Sequence, residues 1–129
     1  MSQLHGVTVL LVEDDEDTRD VLKAMLEMCG ARVCCAESAR DGLQCFQREQ
    51  PHAIVSDIAM PGEDGYWLIG EVRRQLRVPA EKVPAVAVTA FTGQHPRAAA
   101  LAAGFQAHLA KPIDPDVLCR TVADLLQPA

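Results

Sequence analysis

The sequence lacks an excess of positive charge, and it lacks any long apolar run. Its 129 residues contain 12 Lys and Arg against 18 Asp and Glu, so the formal net charge is −6. Because nucleic-acid phosphates attract clusters of Lys and Arg, this balance argues against direct contact with DNA or RNA. The apolar runs are too short to cross a bilayer, and residues 1–5 do not have the basic-then-apolar layout of a signal peptide. We therefore expect no nucleic-acid partner, no membrane span and a cytoplasmic location.

The cysteines lack the spacing of a metal or redox motif. They lie at positions 29, 34, 35, 45 and 119, with no C-x-x-C pair and no His spacing suited to zinc. We expect all five to be reduced and buried as small apolar side chains. Redox sensing through these residues is the alternative.

The length and composition fit one globular domain. Hydrophobic residues make up 49% of the chain and charged residues 23%, which is typical of a folded domain rather than a disordered chain. A chain of this size has room for one core and not for a second catalytic unit. We expect a single domain over residues 1–129, with an ordered core over about residues 6–127.

Short apolar runs alternate with segments of helical periodicity. The predicted strands are 7–12, 31–36, 53–56, 85–89 and 105–110. The predicted helices cover 17–29, about 38–49, 66–76, 96–104 and about 114–126, with Asp15, Ser38 and Asp114 as capping residues. Because each parallel strand connection needs a long crossover, this alternation predicts an α/β fold, a doubly wound three-layer sandwich.

Reactive side chains stand where the predicted strands end. The first strand ends in Glu13-Asp14-Asp15, the third in Asp57, the fourth in Thr89 and the fifth in Lys111. In an open parallel sheet, ligands bind beyond the carboxyl ends of the strands. We therefore expect these acids, the hydroxyl and the ammonium to meet at one edge of the sheet.

The acids at this edge favour a metal site. Neighbouring carboxylates repel each other unless a cation neutralises them. A ligand set of oxygen atoms, without His or Cys, suits Mg²⁺. An Asp beside Mg²⁺ can act as the nucleophile toward a phosphoryl group, with Lys111 balancing the phosphoryl charge and the Thr89 hydroxyl donating to a phosphoryl oxygen. The residues therefore predict phosphoryl transfer to Asp57.

The whole set resembles a known family. Its residues are Glu13-Asp14, Asp57 followed by Met60-Pro61 and Asp64-Gly65, Thr89-Ala90 and Lys111-Pro112. In this order they resemble the receiver domains of two-component response regulators, over essentially the whole chain. The resemblance implies a flavodoxin-like fold, with five parallel strands in the order 2-1-3-4-5 and five helices.

The resemblance also implies roles for the site residues. Asp57 would be phosphorylated by a phosphohistidine on a sensor histidine kinase or a histidine phosphotransfer protein. Asp14, Asp57 and the backbone carbonyl of Ala59 would bind Mg²⁺, with Glu13 assisting through water. The peptide between Lys111 and Pro112 would be cis.

Two positions depart from the family pattern. His108 stands where receivers commonly carry Tyr or Phe as the partner of the switch threonine, Thr89. A histidine there can change its charge near neutral pH, so the switch could depend on pH; the alternative is a partly exposed strand residue without a signalling role. Ala59 offers no polar group to an attacking water, so we expect at most a modest effect on the lifetime of the phosphoryl group.

The expected function is a phosphorylation switch and not an enzyme in its own right. Phosphorylation would change the face formed by the fourth helix, the fifth strand and the fifth helix, for an output partner or a phosphorylation-dependent homodimer. A stand-alone regulator, a phosphorelay intermediate and a receiver from a hybrid histidine kinase are possible contexts, and residues 103–114 are most similar to the last.

Three rivals fit the sequence less well. A haloacid dehalogenase-type phosphatase would have a D-x-D pattern, whereas position 59 is Ala. A flavodoxin-like cofactor binder would have a Gly-, Ser- or Thr-rich first turn, and here that turn is acidic. A receiver that never accepts phosphate would lack part of the set formed by the acids, Thr89 and Lys111.

Overall fold

Five parallel strands form one sheet at the centre of the protein. The structure is a computed structural model that describes residues 3–90 and 92–127. The strands are β1 (Thr8–Val12), β2 (Arg32–Ala36), β3 (Ala53–Asp57), β4 (Ala85–Thr89) and β5 (Ala107–Ala110). They lie in the order β2-β1-β3-β4-β5, and every neighbouring pair is parallel. The predicted flavodoxin-like topology is confirmed.

The helices begin where the sequence places capping residues. They are α1 (Glu16–Met28), α2 (Ala39–Glu49), α3 (Gly65–Gly70), α4 (Arg97–Ala103) and α5 (Pro115–Leu126). Asp15 accepts from the backbone N–H of Thr18 at the start of α1, and Ser38 caps α2 in the same way. Asp114 accepts from two backbone N–H groups of α5. These contacts confirm the three predicted caps.

The helices cover the sheet in two layers. Alternate strand residues point to opposite faces, so Leu10 packs toward α2, α3 and α4, whereas Leu11 packs toward α1 and α5. The first layer includes the buried side chains of Phe46 and Phe105, and the second includes that of Leu26. Both faces of the sheet are therefore buried, as expected for parallel strands.

The third helix is less regular than its apolar periodicity predicts. After α3 the chain widens into a π-helical turn, Glu71–Gln75. Arg73 lies in this turn, and its guanidinium donates to the carbonyl oxygens of Val78, Val83 and Gly104. It also donates to the side-chain oxygen of Gln106. The wider turn is thus held by an arginine that reaches across to the starts of β4 and β5.

The fifth strand starts later than predicted. The backbone N–H of Phe105 donates to the carbonyl oxygen of Ala100, which closes α4 instead of extending the strand. β5 consequently begins at Ala107 and not at Phe105. Among the residues that the structure describes, no helix is long and apolar enough to span a membrane.

The expectation that all five cysteines are reduced and buried is wrong. Cys29 and Cys119 are joined by a disulfide, because the end of α1 packs against α5 and places their Cα atoms 6.5 Å apart. Of the three free cysteines, Cys45 is buried, Cys34 is half-buried and Cys35 is exposed. Cys35 is exposed because β2 is an edge strand of the sheet.

Candidate functional site

Three carboxyl groups meet at the carboxyl edge of the sheet. Glu13 and Asp14 directly follow β1, and Asp57 is the last residue of β3. Each offers one carboxylate oxygen, and these oxygens all lie within 4.8 Å of one another. Glu13 and Asp57 are buried, with 1% and 5% exposure, whereas Asp14 is exposed. The cluster could hold a hard metal ion, because its donors are oxygens and one side is open to solvent.

A single lysine bridges two of these acids. The Nζ of Lys111 lies 2.7 Å from Oε1 of Glu13 and 3.2 Å from Oδ2 of Asp57. Lys111 directly follows β5, and its backbone N–H donates to the carbonyl oxygen of Thr89. The next peptide bond, between Lys111 and Pro112, is cis, as the family resemblance implies. The ends of β1, β3 and β5 therefore bring two acidic side chains and one ammonium group into direct contact.

Burial dominates the electrostatics of the cluster. It raises the pKa of Glu13 to about 7, because the hydrogen bond from Lys111 offsets only part of the burial cost and the charge of Asp57 adds to it. Burial alone would lower the pKa of Lys111, but the hydrogen bond to Glu13 and the negative charge of Asp57 raise it above its ordinary value. A bound cation would favour the ionised form of Glu13.

Glu13 is held more firmly than the sequence suggests. Its Oε2 accepts from the backbone N–H of Asp15, and its carbonyl oxygen accepts from Nη1 of Arg19. The family resemblance implies only a water-mediated role for Glu13 near the metal. In the structure Glu13 forms an ion pair with Lys111, and its oxygen lies nearer to Nζ of Lys111 than that of Asp57 does. The signal for this was available, since an acid that directly follows a buried strand is itself placed in the interior.

Thr89 and Ala59 lie beside this cluster. Thr89 ends β4 and is fully buried. Ala59 is half-buried in the loop that follows Asp57. That loop returns closely to its origin, because a Cβ on Gly65 would be 2.5 Å from the carbonyl oxygen of Asp57. The Asp64-Gly65 motif thus allows α3 to begin against the end of β3, with Asp64 as its cap.

Comparison with known proteins identifies the family. Residues 9–123 match the response regulator receiver domain. The chain belongs to this family. An uncharacterized 14.6 kDa protein of Leptolyngbya boryana is 46% identical to it, covering 95% of this chain and 92% of that protein. A CheY-like response regulator receiver domain protein of Methanospirillum hungatei has a TM-score of 0.82 and 28% identity, covering 93% of each chain.

Other relatives are longer than this receiver. Response regulator MprA of Mycolicibacterium vanbaalenii is 34% identical over 94% of this chain, which is 51% of that protein. Hybrid signal transduction histidine kinase D of Dictyostelium discoideum is 29% identical over 96% of this chain, which is 8% of that protein. The chain thus spans about half of the one and a small part of the other.

The receiver places His108 away from the carboxylates but on the side of Thr89. In the sheet, His108 pairs with Ala87, and Ala87 and Thr89 point to the same face of β4. The Nε2 of His108 lies 2.8 Å from the carbonyl oxygen of His95, in the loop before α4. His108 is therefore positioned to tie β5 to that loop.

Two polar atoms near this loop are buried without a partner. Within residues 3–90 and 92–127, the Tyr66 hydroxyl and Nδ1 of His95 have no hydrogen-bond partner. Their rings contact each other, with centroids 5.5 Å apart. Sequence reasoning missed His95, because only the fold brings the loop before α4 against the start of α3. A buried polar atom without a hydrogen bond lowers the stability of the fold. The hydrogen-bonding groups of this loop are therefore less completely paired than those of the acid cluster.

Proposed function

We propose that Asp57 of this receiver accepts a phosphoryl group from a phosphohistidine on a sensor histidine kinase or a histidine phosphotransfer protein, with the help of Mg²⁺. The observation that carries the proposal is the meeting of Glu13, Asp14 and Asp57 with Lys111 at the carboxyl edge of the sheet. Asp57 is the only one of the three acids that lies within a strand, where its backbone pairs with Val88 of β4.

The transfer needs a nucleophile and charge balance. A carboxylate oxygen of Asp57 attacks the phosphorus, the new O–P bond forms as the N–P bond to the donor imidazole breaks, and the imidazole takes up a proton. Lys111 lies close enough to Asp57 to balance the charge that the phosphoryl group adds. Because Lys111 also donates a hydrogen bond to Glu13, its ammonium group stays charged and in place beside Asp57 before the transfer.

The donor set fits Mg²⁺. We assign Asp14, Asp57 and the backbone carbonyl of Ala59 as its ligands, with Glu13 assisting through water, since all four offer oxygen atoms. When bound, the ion would neutralise charge on the phosphoryl oxygens and on the acids. Glu13 and Asp14 orient toward that place because β1 ends immediately before them.

We assign the conformational response to phosphorylation to the side of the site where Thr89 lies. We infer that the phosphoryl group draws the hydroxyl of Thr89 toward it, that the loop after β4 follows, and that His108 reports the change to β5. The face formed by α4, β5 and α5 would then alter its affinity for an output partner or for a second phosphorylated copy. The short α4 and the poorly satisfied loop before it support this direction of movement.

An apolar groove beside Lys111 suits the phosphodonor. It has a volume of about 500 Å³, and its lining includes Val21 and Met25 of α1 and Ile113 after β5. Val21 is 53% exposed, so an apolar helix face of the donor would cover it. We place the receiver in the cytoplasm, either as a stand-alone regulator or within a hybrid histidine kinase, where such donors act.

Acetyl phosphate labelling tests the proposal. We expect Mg²⁺-dependent formation of an acid-stable, base-labile adduct on the wild type and none on Asp57→Asn. Asp41→Asn, an exposed acid on α2, is the matched control and should label like the wild type. Equal labelling of Asp57→Asn would move the phosphoryl site elsewhere. No labelling of the wild type by acetyl phosphate or by a phosphorylated kinase would contradict the function.

A second readout follows the metal alone. Trp67 opens α3 close to the site, is half-buried and is contacted by the guanidinium of Arg40. We expect its fluorescence to shift on addition of millimolar Mg²⁺ in the wild type and not in Asp14→Asn. A Mg²⁺ response that survives Asp14→Asn unchanged would remove Asp14 from the ligand set.

A further inference from the structure

Cys29 and Cys119 join the two helices that begin at the charged site. α1 follows Glu13 and Asp14, and α5 follows Lys111. Cys29 lies directly after α1, Cys119 lies within α5, and 90 positions separate them in sequence. Their sulfur atoms are bonded in the structure. The bond therefore fixes the far end of α1 to α5, in the helical layer next to the charged residues of the site.

The two sulfurs differ in access. Cys119 is fully buried, whereas Cys29 is only half-buried at the end of its helix. Thiol–disulfide exchange requires a thiolate to approach a sulfur atom directly. A soluble thiol would therefore attack at Cys29 and release Cys119 into the interior.

The interior offers the released thiol an acceptor. Sγ of Cys119 lies 3.5 Å from the carbonyl oxygen of Met25. A regular helix would direct the backbone N–H of Cys29 at that oxygen, but here this N–H donates to Leu26. The Met25 oxygen can thus accept from a Cys119 thiol, so the reduced state does not leave a buried donor unpaired. The same packing suits both oxidation states.

The other cysteines compete poorly for oxidation. Cys45 is buried. Desolvation raises the pKa of the Cys34 thiol, and it also raises the pKa of the Cys35 thiol, although Cys35 is exposed on the edge strand. A thiol with a raised pKa forms less of the reactive thiolate at neutral pH.

We propose that Cys29 and Cys119 form a reversible redox site that links α1 to α5 covalently when oxidised and leaves the two helices held by packing alone when reduced. Oxidation removes two electrons and two protons from the thiols and transfers them to a low-molecular-weight disulfide such as oxidised glutathione. Reduction by a soluble thiol passes through a mixed disulfide on Cys29. This site does not depend on phosphoryl transfer and would operate whether or not Asp57 is phosphorylated.

Redox titration of the full chain tests the site. The protein is equilibrated in buffers with different ratios of reduced to oxidised glutathione, quenched, alkylated under denaturing conditions and mapped by mass spectrometry. We expect Cys29 and Cys119 to become alkylated together in one reversible transition, with Cys34, Cys35 and Cys45 alkylated throughout. On reduction, the melting temperature should fall by on the order of 10 °C, because the disulfide closes a long loop of the unfolded chain.

Variants separate the site from general effects of reductant. Cys29→Ser changes a half-buried residue outside the helix and should melt at one temperature with or without dithiothreitol. Cys119→Ala gives a second variant that cannot form the bond. The proposal is overturned if native wild type keeps the bond in excess dithiothreitol. It is overturned equally if the two thiols stay free in oxidised glutathione, or if reduction lowers the melting temperature of Cys29→Ser as much as that of the wild type.

Discussion

The two helical layers of this receiver differ in how firmly they are attached. α1 and α5 have 13 and 12 residues, start at capping aspartates and are joined by a disulfide. In the other layer, α2 has 11 residues and a Ser38 cap, but α3 has 6 residues before its wide turn, and α4 has 7 residues and no side-chain cap among the described residues. α1 and α5 form the firm layer. Glu13 and Asp14 lie shortly before α1, and Lys111 lies shortly before α5. We expect the first layer to stay in place and the second to respond when the receiver is phosphorylated.

The looser layer, which α2, α3 and α4 form, is anchored at one end. Arg73 fixes its far end, at the starts of β4 and β5, through four hydrogen-bond acceptors. Near the site, by contrast, the Tyr66 hydroxyl and Nδ1 of His95 are buried without partners within the described chain. Movement should therefore be concentrated at the end of this layer that faces Thr89.

Removing the Arg73 anchor should have the largest effect on stability. Arg73→Ala removes the guanidinium donor from the carbonyl oxygens of Val78 and Val83, whereas that of Gly104 keeps the side-chain amide of Gln106. We expect the substitution to lower the free energy of unfolding by roughly 3 kcal/mol. Arg74→Ala, at the exposed neighbouring position, should change it by less than about 0.5 kcal/mol. Urea unfolding monitored by circular dichroism measures both. Equal effects of the two substitutions would remove the distinction between the two ends of this layer.

The charged edge of the firm layer should make stability depend on pH. The pKa of Glu13 is about 7 in the folded protein against 4.5 for an ordinary Glu, so between these values the folded state binds more protons than the unfolded state. Without Mg²⁺, the free energy of unfolding should therefore fall as pH rises from about 5 to 8, by on the order of 2 kcal/mol. Urea midpoints across this range give the measurement.

The matched variant for that prediction is Glu13→Gln, which should flatten this part of the pH profile. Millimolar Mg²⁺ should also reduce the loss in the wild type, because a cation favours the ionised acid. A wild-type profile that rises over the same range and is unchanged in Glu13→Gln would contradict the raised pKa of Glu13.

The cap of α5 provides a smaller test of the firm layer. Asp114→Ala leaves two backbone N–H groups of α5 without their acceptor and should cost about 1 kcal/mol. Asp114→Asn keeps a capping side chain and should retain most of the stability. Thermal melts compare the three proteins. If Ala and Asn behave alike, the cap does not fasten this end of the helix.

The smallest expected effect lies at the unpaired hydroxyl. Tyr66→Phe removes a buried group that has no partner in the described structure, so stability should stay the same or rise by up to about 1 kcal/mol. Ser56→Ala is the contrast, because the buried Ser56 hydroxyl donates to the carbonyl oxygen of Asp57, and its loss should cost about 1 kcal/mol. A marked loss in Tyr66→Phe would mean that the hydroxyl has a partner after all.

The sequence predicts what depends on local pattern. Buried strands that end abruptly in Asp57 and Thr89 show where reactive groups gather, and the caps Asp15 and Asp114 are visible as aspartates before an amphipathic run. The sequence does not predict what depends on packing between distant elements. The pairing of Cys29 with Cys119, the reach of Arg73 and the contact between Tyr66 and His95 arise only when the layers assemble. The pKa of Glu13 likewise depends on its contacts with Lys111 and Asp57, which form only when the strands assemble.

Hydrogen exchange of the phosphorylated receiver tests the central claim, that Asp57 at the end of β3 takes the phosphoryl group while the layer of α1 and α5 stays in place and the looser layer responds. With Mg²⁺ and acetyl phosphate, exchange rates should change in peptides that cover the end of β4, α4 and β5, and stay the same in α1 and α5 beyond their first turns. Asp57→Asn should show neither change under the same conditions. Altered exchange throughout α1 and α5 with unchanged rates from β4 to β5 would contradict the account.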